Sequence, residues 1–237
     1  GLVTYMKSIK LFVKSLFYNS NLNIENMQGT GFSWLLGEYS KKNGVDLNDQ
    51  ILKEETSYFN THPFFINFIL GVWFKEFGTM EGPDYWKKVY SSAFAAVGDS
   101  VFYHSYRVFC FTIAALAGFY NILLGLFIYL ALYNIPHFYF LFYGYDIGFK
   151  YGKNLIVWFN RFKVNQWGQF FDTISAFFLG FFLSVMIGVN NFTSLWHYFF
   201  GAVMLFMGLS FARILNVGIA FIIAVIGFGI ILLLGGL

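Results

Sequence analysis

VFCFTIAALAGFYNILLGLFIYLALY, residues 108–133, runs for 26 positions without a charged side chain. A membrane-crossing helix needs about 20 predominantly apolar residues, so this stretch is long enough to span. Three further candidate spans follow, Phe170–Val189, Leu195–Ala212 and Ile214–Leu237. None of them shows the alternation, at about ten-residue spacing, that a membrane barrel strand carries. The expected class is therefore all-α: a polytopic helical membrane protein with about four to six spanning segments.

Composition agrees with that reading. The 237 residues are 58% hydrophobic and 11% charged, with a mean hydropathy of +0.61. Soluble domains carry roughly 25% charged residues, so a soluble globular enzyme and a disordered chain are both excluded. Aromatic residues make up 24%, a surface that needs lipid or a protein partner to cover it. Charge is divided unevenly. Residues 1–100 hold nine Lys/Arg and ten Asp/Glu, and residues 101–237 hold six and two. Six scattered cations form no nucleic-acid surface. The lone Cys110 excludes an internal disulfide and, in its apolar run, reads as a buried inert thiol. The first apolar stretch, Ile9–Tyr18, contains Lys14 and leads into Asn-rich sequence, so it does not read as a secretory signal.

The N-terminal part is more polar. Residues 1–22 predict a short amphipathic helix, with Lys7, Lys10 and Lys14 on one face and Leu11, Phe12, Leu16 and Phe17 away from it. It suits either the membrane interface or packing on another helix. A second helix is expected from the Asn26–Phe32 block to Asn43-Gly44. A third runs from about Leu47 to Phe59, with Asp46 or Asn48 as its cap. Residues 1–58 therefore read as amphipathic arm helices and 59–237 as a membrane core. Pro63 breaks the chain after Asn60-Thr61-His62, and Phe64–Phe74 is too short to span, which predicts a re-entrant helix. Tyr85–Cys110 reads as a segment interrupted at Gly98-Asp99-Ser100, and Asn134-Ile135-Pro136-His137 as a second interruption. Lys150, Lys153, Arg161, Lys163 and Arg213 place their loops in the cytoplasm, with Asn190–Ser194 and the C-terminus outside.

Chemistry-bearing motifs are few. There is no phosphate loop, no His-Glu-x-x-His and no Cys/His cluster, so neither an ATPase nor a zinc site is expected and no cofactor is implied. His62, His104, His137 and His197 are widely spaced and read first as helix-end residues. Asp99, an acid within an apolar segment, is a functional candidate; otherwise it caps a helix near Ser100 or pairs with Arg107. Asn60, Thr61 and His62 before Pro63 could offer hydrogen bonds to a hydroxylated solute at a broken helix end, or simply cap the next helix. Gly144, Gly148 and Gly152, four apart, make a smooth face for close helix packing.

Several blocks, in order, resemble the IID component of mannose-type phosphotransferase systems. They are Lys14-Ser15-Leu16 through Phe32, Tyr58–Phe64 followed by Ile69–Val72, and Ala96–Tyr103 with its Gly-Asp pair and downstream Arg107. Tyr133–Gly152 and Ile174–Val189 continue the likeness, so it covers nearly the whole chain. Three departures mark a shortened, diverged member. Ala93–Ala96 stands where the family has Gly-Pro-Leu-Ala-Gly, Val108 stands for a Pro, and the external insertion shrinks to Asn190–Ser194.

The resemblance implies a sugar-uptake subunit in a bacterial cytoplasmic membrane, crossing it several times. It implies a IIC partner, soluble IIA/IIB phosphocarriers, a hexose-like substrate, a trimer of IIC–IID pairs and elevator-like motion. No catalytic residue of the chain's own is expected. Asn60, Thr61, His62, Gly98, Asp99 and Ser100 are the candidate sugar-path residues, with Pro63, Arg107, Gly144, Gly148 and Gly152 as packing residues. The alternative is a membrane scaffold of the same fold that has lost transport.

Overall fold

The computed structural model describes residues 2–188, with side chains for residues 9–180 apart from Asn165. The candidate spans Leu195–Ala212 and Ile214–Leu237, and with them Arg213, His197 and the Asn190–Ser194 loop, lie outside the described residues. Among those described, regular structure is helical, as expected, with only two isolated β-bridges.

The helices are α1 Leu2–Leu16, α2 Gly29–Asn43, α3 Asp49–Glu54, α4 Ile66–Glu76 and α5 Pro83–Gly98. A π-helical segment, Asp99–Tyr106, joins α5 to α6 Arg107–Tyr120. Then come α7 Ile122–Tyr151, α8 Leu155–Arg161 and α9 Val164–Gly188. Local chemistry sets many of the ends. Gly44 takes the left-handed conformation (φ 65°) that stops α2. The Asn48 side chain accepts from the Ile51 N–H at 2.8 Å to start α3. That helix ends at Glu54, short of Phe59, because the chain turns to pair Phe59 with Met27.

Two compact units are present. One combines Gly1–Arg107 with Leu130–Gly168; the other combines Val108–Tyr129 with the described part of Gln169–Leu237. In the first unit α4 is buried on every side, as a helix apolar all round must be. At 1.5 Å per residue its 11 residues reach only about 16 Å, roughly half a bilayer core. Phe65 and Phe68 of this region meet Phe94, Phe140 and Phe159 at ring separations of 4.8–6.3 Å. Each fully buried ring contributes about 1.5–3 kcal/mol. The one polar residue in the middle is satisfied: Asn67 donates to the Leu141 carbonyl at 2.6 Å and accepts from Ser15 Oγ at 2.9 Å. α1 packs on protein here. Leu11 is buried, and Phe12 meets Phe138 and Phe142 edge-on at 5.9 Å.

Two features of the apolar runs differ from the sequence expectation. The 108–133 stretch is not one helix. Asn121 breaks it and caps α7, accepting from the Leu123 and Leu124 N–H groups at 2.9 and 3.1 Å. In the second unit Gly125 then comes close against Ala114 and Gly118 of α6, and Phe109 meets Phe171 at 5.3 Å. Conversely, α7 runs straight through Pro136. Proline removes the donor that would bond the Leu132 carbonyl, and the Tyr106 hydroxyl donates to that oxygen instead at 2.6 Å. Among the described residues one helical run, Ile122–Gly180, is long and apolar enough to cross a membrane, and its apolar window is almost wholly exposed.

Candidate functional site

Asn60, Thr61 and His62 lie on an extended segment fixed to the start of α2. The Gln28 N–H donates to the Phe59 carbonyl at 2.9 Å, and the Phe59 N–H donates to the Asn26 carbonyl at 3.2 Å. The Gln28 side chain then holds both backbone groups of Thr61, accepting from its N–H at 2.8 Å and donating to its carbonyl at 3.1 Å. His62 caps the turn Pro63–Phe65, its Nδ1 accepting from the Phe64 N–H at 3.3 Å. Pro63 fills the first position, where no donor is needed. An accepting Nδ1 places the ring proton on Nε2.

The His62 ring sits in an aromatic cup. Its centroid is 4.8 Å from Phe64, 5.5 Å from Phe102 and 4.4 Å from Tyr103. The fourth wall is Gly98, where any Cβ would overlap the His62 side chain. The Gly-Asp pair and the Asn-Thr-His-Pro block, far apart in sequence, are thus in direct contact. His137 joins them through Phe64, its ring stacked on that of Phe64 at 4.7 Å.

Asp99 lies where the α-helical run is interrupted, at the C-cap of α5, and caps no helix start. It opens the π-helical segment, with its carbonyl 2.7 Å from His104 Nδ1. Wide π-turns within helices occur often at functional sites. Asp99 and Ser100 are exposed. No ion pair joins Asp99 to Arg107 among the described residues; the Arg107 guanidinium instead lies 5.5 Å from the centre of the Tyr103 ring. Both charges act on the Tyr103 phenol.

The glycine face is elsewhere. Gly144 and Gly148 lie against Phe68 of α4, and a Cβ at Gly148 would overlap the Phe68 carbonyl oxygen. Gly71 answers from α4, abutting the Tyr145 carbonyl. Gly152 turns the chain at φ 49°, beside Glu76, whose Oε1 accepts from the Lys153 N–H at 2.8 Å. So α4 of the same chain occupies this face.

The structure adds Gln28, Tyr103 and His137 to the candidate sugar-path residues. Gln28 sits inside the Asn-Met-Gln-Gly-Thr-Gly block, and Pro136-His137 is a polar break in an apolar run; both were signals. Tyr103 closes the Ala96–Tyr103 block, but its contact with His62 comes only with the π-helical segment. Among the described residues no group of His, Cys, Asp and Glu is placed to hold a metal ion. The two segments carry an exposed carboxylate at Asp99, a half-buried amide at Asn60 and a buried imidazole at His62, groups that can hydrogen-bond hydroxyls.

Residues 3–197 match the profile of the mannose/fructose/sorbose family IID component of the phosphotransferase system. A comparison with curated protein sequences gives no match. Two solved structures are similar. The first, described as a membrane protein, has 17% identity and a TM-score of 0.63 over 97% of this chain and 95% of that one. The second is the mannose transporter ManYZ in complex with microcin E492, with 18% identity and a TM-score of 0.55 over the same shares. At these identities the likeness is one of fold.

Proposed function

Because the chain belongs to the mannose/fructose/sorbose family of phosphotransferase-system IID components, we propose that it pairs with a IIC subunit to form a sugar translocation path. Soluble IIA and IIB proteins phosphorylate the sugar as it enters. The assembly is a trimer of IIC–IID pairs in a bacterial cytoplasmic membrane, crossed several times by this chain. Residues 1–58 serve as the arm and 59–237 as the transport core, which moves as an elevator. Asn60, His62 and Asp99 line or brace the sugar path, with Thr61, Gly98 and Ser100 in support.

The observation that carries this reading is the packing of His62 on Gly98, which sets the Asn60 and Asp99 segments side by side. A sugar leaving water must replace many hydroxyl hydrogen bonds, and each buried polar group left unpaired costs ~1–3 kcal/mol. A carboxylate accepts from two hydroxyls and an amide both donates and accepts, so the pair suits a pyranose. Asp99→Asn keeps the shape and removes the charge. In the purified IIC–IID complex it should weaken sugar binding by about tenfold, equivalent to ~1.4 kcal/mol, with assembly intact. Wild-type binding by both Asp99→Asn and Asn60→Ala, measured by calorimetry, overturns the site assignment. The scaffold reading, favoured by Ala93–Ala96 in place of the Gly-Pro block, predicts no sugar binding by the unmodified complex.

A further inference from the structure

Four buried polar atoms complete no hydrogen bond within the described residues: Tyr18 Oη, Asn19 Oδ1, Thr61 Oγ1 and His62 Nε2. Folded proteins leave few such groups, so four of them on two short segments call for an explanation. Tyr18 is 3% exposed, Thr61 3% and His62 1%.

The two segments converge. Tyr18 and Asn19 lie on the 3-10 turn Tyr18–Asn21 after α1, and the bare backbone of Gly31 lets the Tyr18 carbonyl come close to α2. Gln28, one turn earlier, clamps Thr61. Tyr103 borders the His62 side, its ring centre 4.4 Å from that of His62. The Asn19 side chain lies beside the Tyr18 hydroxyl, yet neither atom completes a hydrogen bond.

The chemistry of the set is specific. Two hydroxyls can each donate and accept, Nε2–H donates because Nδ1 is already engaged, and Oδ1 accepts. None of the four is charged in these roles. Neighbouring hydroxyls on a sugar ring need this mixture of donors and acceptors. A cation would need more acceptors, and an anion more donors.

We infer that Tyr18 and Asn19, together with the Thr61 hydroxyl and His62 Nε2, form a recognition subsite for the neutral hydroxyls of the sugar. The N-terminal segment thereby becomes a specificity-determining part of the path. The inference rests on the sugar-path reading above and adds Tyr18 and Asn19 to it.

The test uses the purified membrane complex, calorimetry, and D-mannose, D-fructose and L-sorbose as probes, continuing with the tightest binder. Tyr18→Phe removes one unpartnered hydroxyl. The sugar-free complex should therefore melt no lower than wild type, while binding weakens by about tenfold. Against a series of monodeoxy analogues, the variant's deficit should vanish for the analogue lacking the partner hydroxyl. Thr61→Val is the second variant, with the same pattern expected should Tyr18→Phe fail to assemble. Wild-type affinity in both variants means that water satisfies these atoms, and overturns the inference. So does a deficit equal for every deoxy analogue, or a melting point lowered along with affinity. Asp99→Asn is measured alongside. Weakened binding there with normal binding in Tyr18→Phe and Thr61→Val overturns only this inference; normal binding in all three overturns the sugar-path reading as well.

Discussion

Lys87→Met should unfold this protein at a much lower temperature, although it touches no proposed sugar contact. The Lys87 ammonium is buried (2% exposed) and donates to Glu55 Oε2 at 2.5 Å and to the Glu55 carbonyl at 3.2 Å. Glu55 is equally enclosed, and its other oxygen accepts from Trp73 Nε1 at 2.8 Å. Lys87 also lies 4.6 Å from the ring centre of Phe32 and 5.6 Å from that of Phe59. Four segments, around α2, α3, α4 and α5, therefore meet at one charge. Removing the ammonium strands the carboxylate in an apolar site. Breaking a buried pair from one side costs about 3–5 kcal/mol. At roughly 2–4 °C per kcal/mol for a chain of this size, the midpoint should fall by roughly 6–20 °C. Tryptophan-fluorescence melting in detergent reads this directly, because Trp73 is part of the cluster. The double variant Glu55→Gln with Lys87→Met removes both charges and should recover most of the loss. A single variant that melts within about 3 °C of wild type, or a double variant as unstable as the single one, would refute the reasoning.

The same pair has a pH signature. Burial pushes the Glu55 carboxyl above its ordinary value, and Lys87 acts against that shift. A carboxyl with a raised folded-state pKa holds its proton more tightly when folded. The folded state therefore gains as pH falls through the raised value, and loses that gain as pH rises through it. Without Lys87 the upward push is unopposed. The deficit of Lys87→Met should be greatest near neutrality and shrink on acidification toward the ordinary glutamate range.

Two further substitutions probe the packing. Gly148→Ala drives a methyl group into the Phe68 carbonyl region, and should cost about 1–3 kcal/mol, seen as a lower melting point. Tyr106→Phe removes the hydroxyl that serves the Leu132 carbonyl at the Pro136 break; a loss of about 1–3 kcal/mol is expected, and hydrogen exchange should quicken at residues 130–138. An unchanged exchange pattern there would show that α7 does not depend on this bond.

The sequence alone determined the helical class, because charge depletion and long apolar runs are properties of composition. It also located features written in neighbouring residues: the Gly44 stop, the Pro63 break and a cap at Asp46 or Asn48, of which the structure uses Asn48. The family was legible because several short blocks recur along the chain in the family's order. Tertiary structure decided what depends on residues distant in the chain. Whether Pro136 ends a helix depended on a tyrosine that precedes it by 30 positions. Whether 108–133 is one helix depended on Asn121, whose side chain caps the Leu123 and Leu124 N–H groups and starts a new helix. The Glu55–Lys87 pair and the seat of His62 on Gly98 leave no periodic trace, since each residue alone reads as an ordinary charge, cap or bend. Local hydrogen bonding is encoded within a few residues and can be read in order along the chain. Burial of a specific pair is a property of the space between helices, and only their packing fixes it.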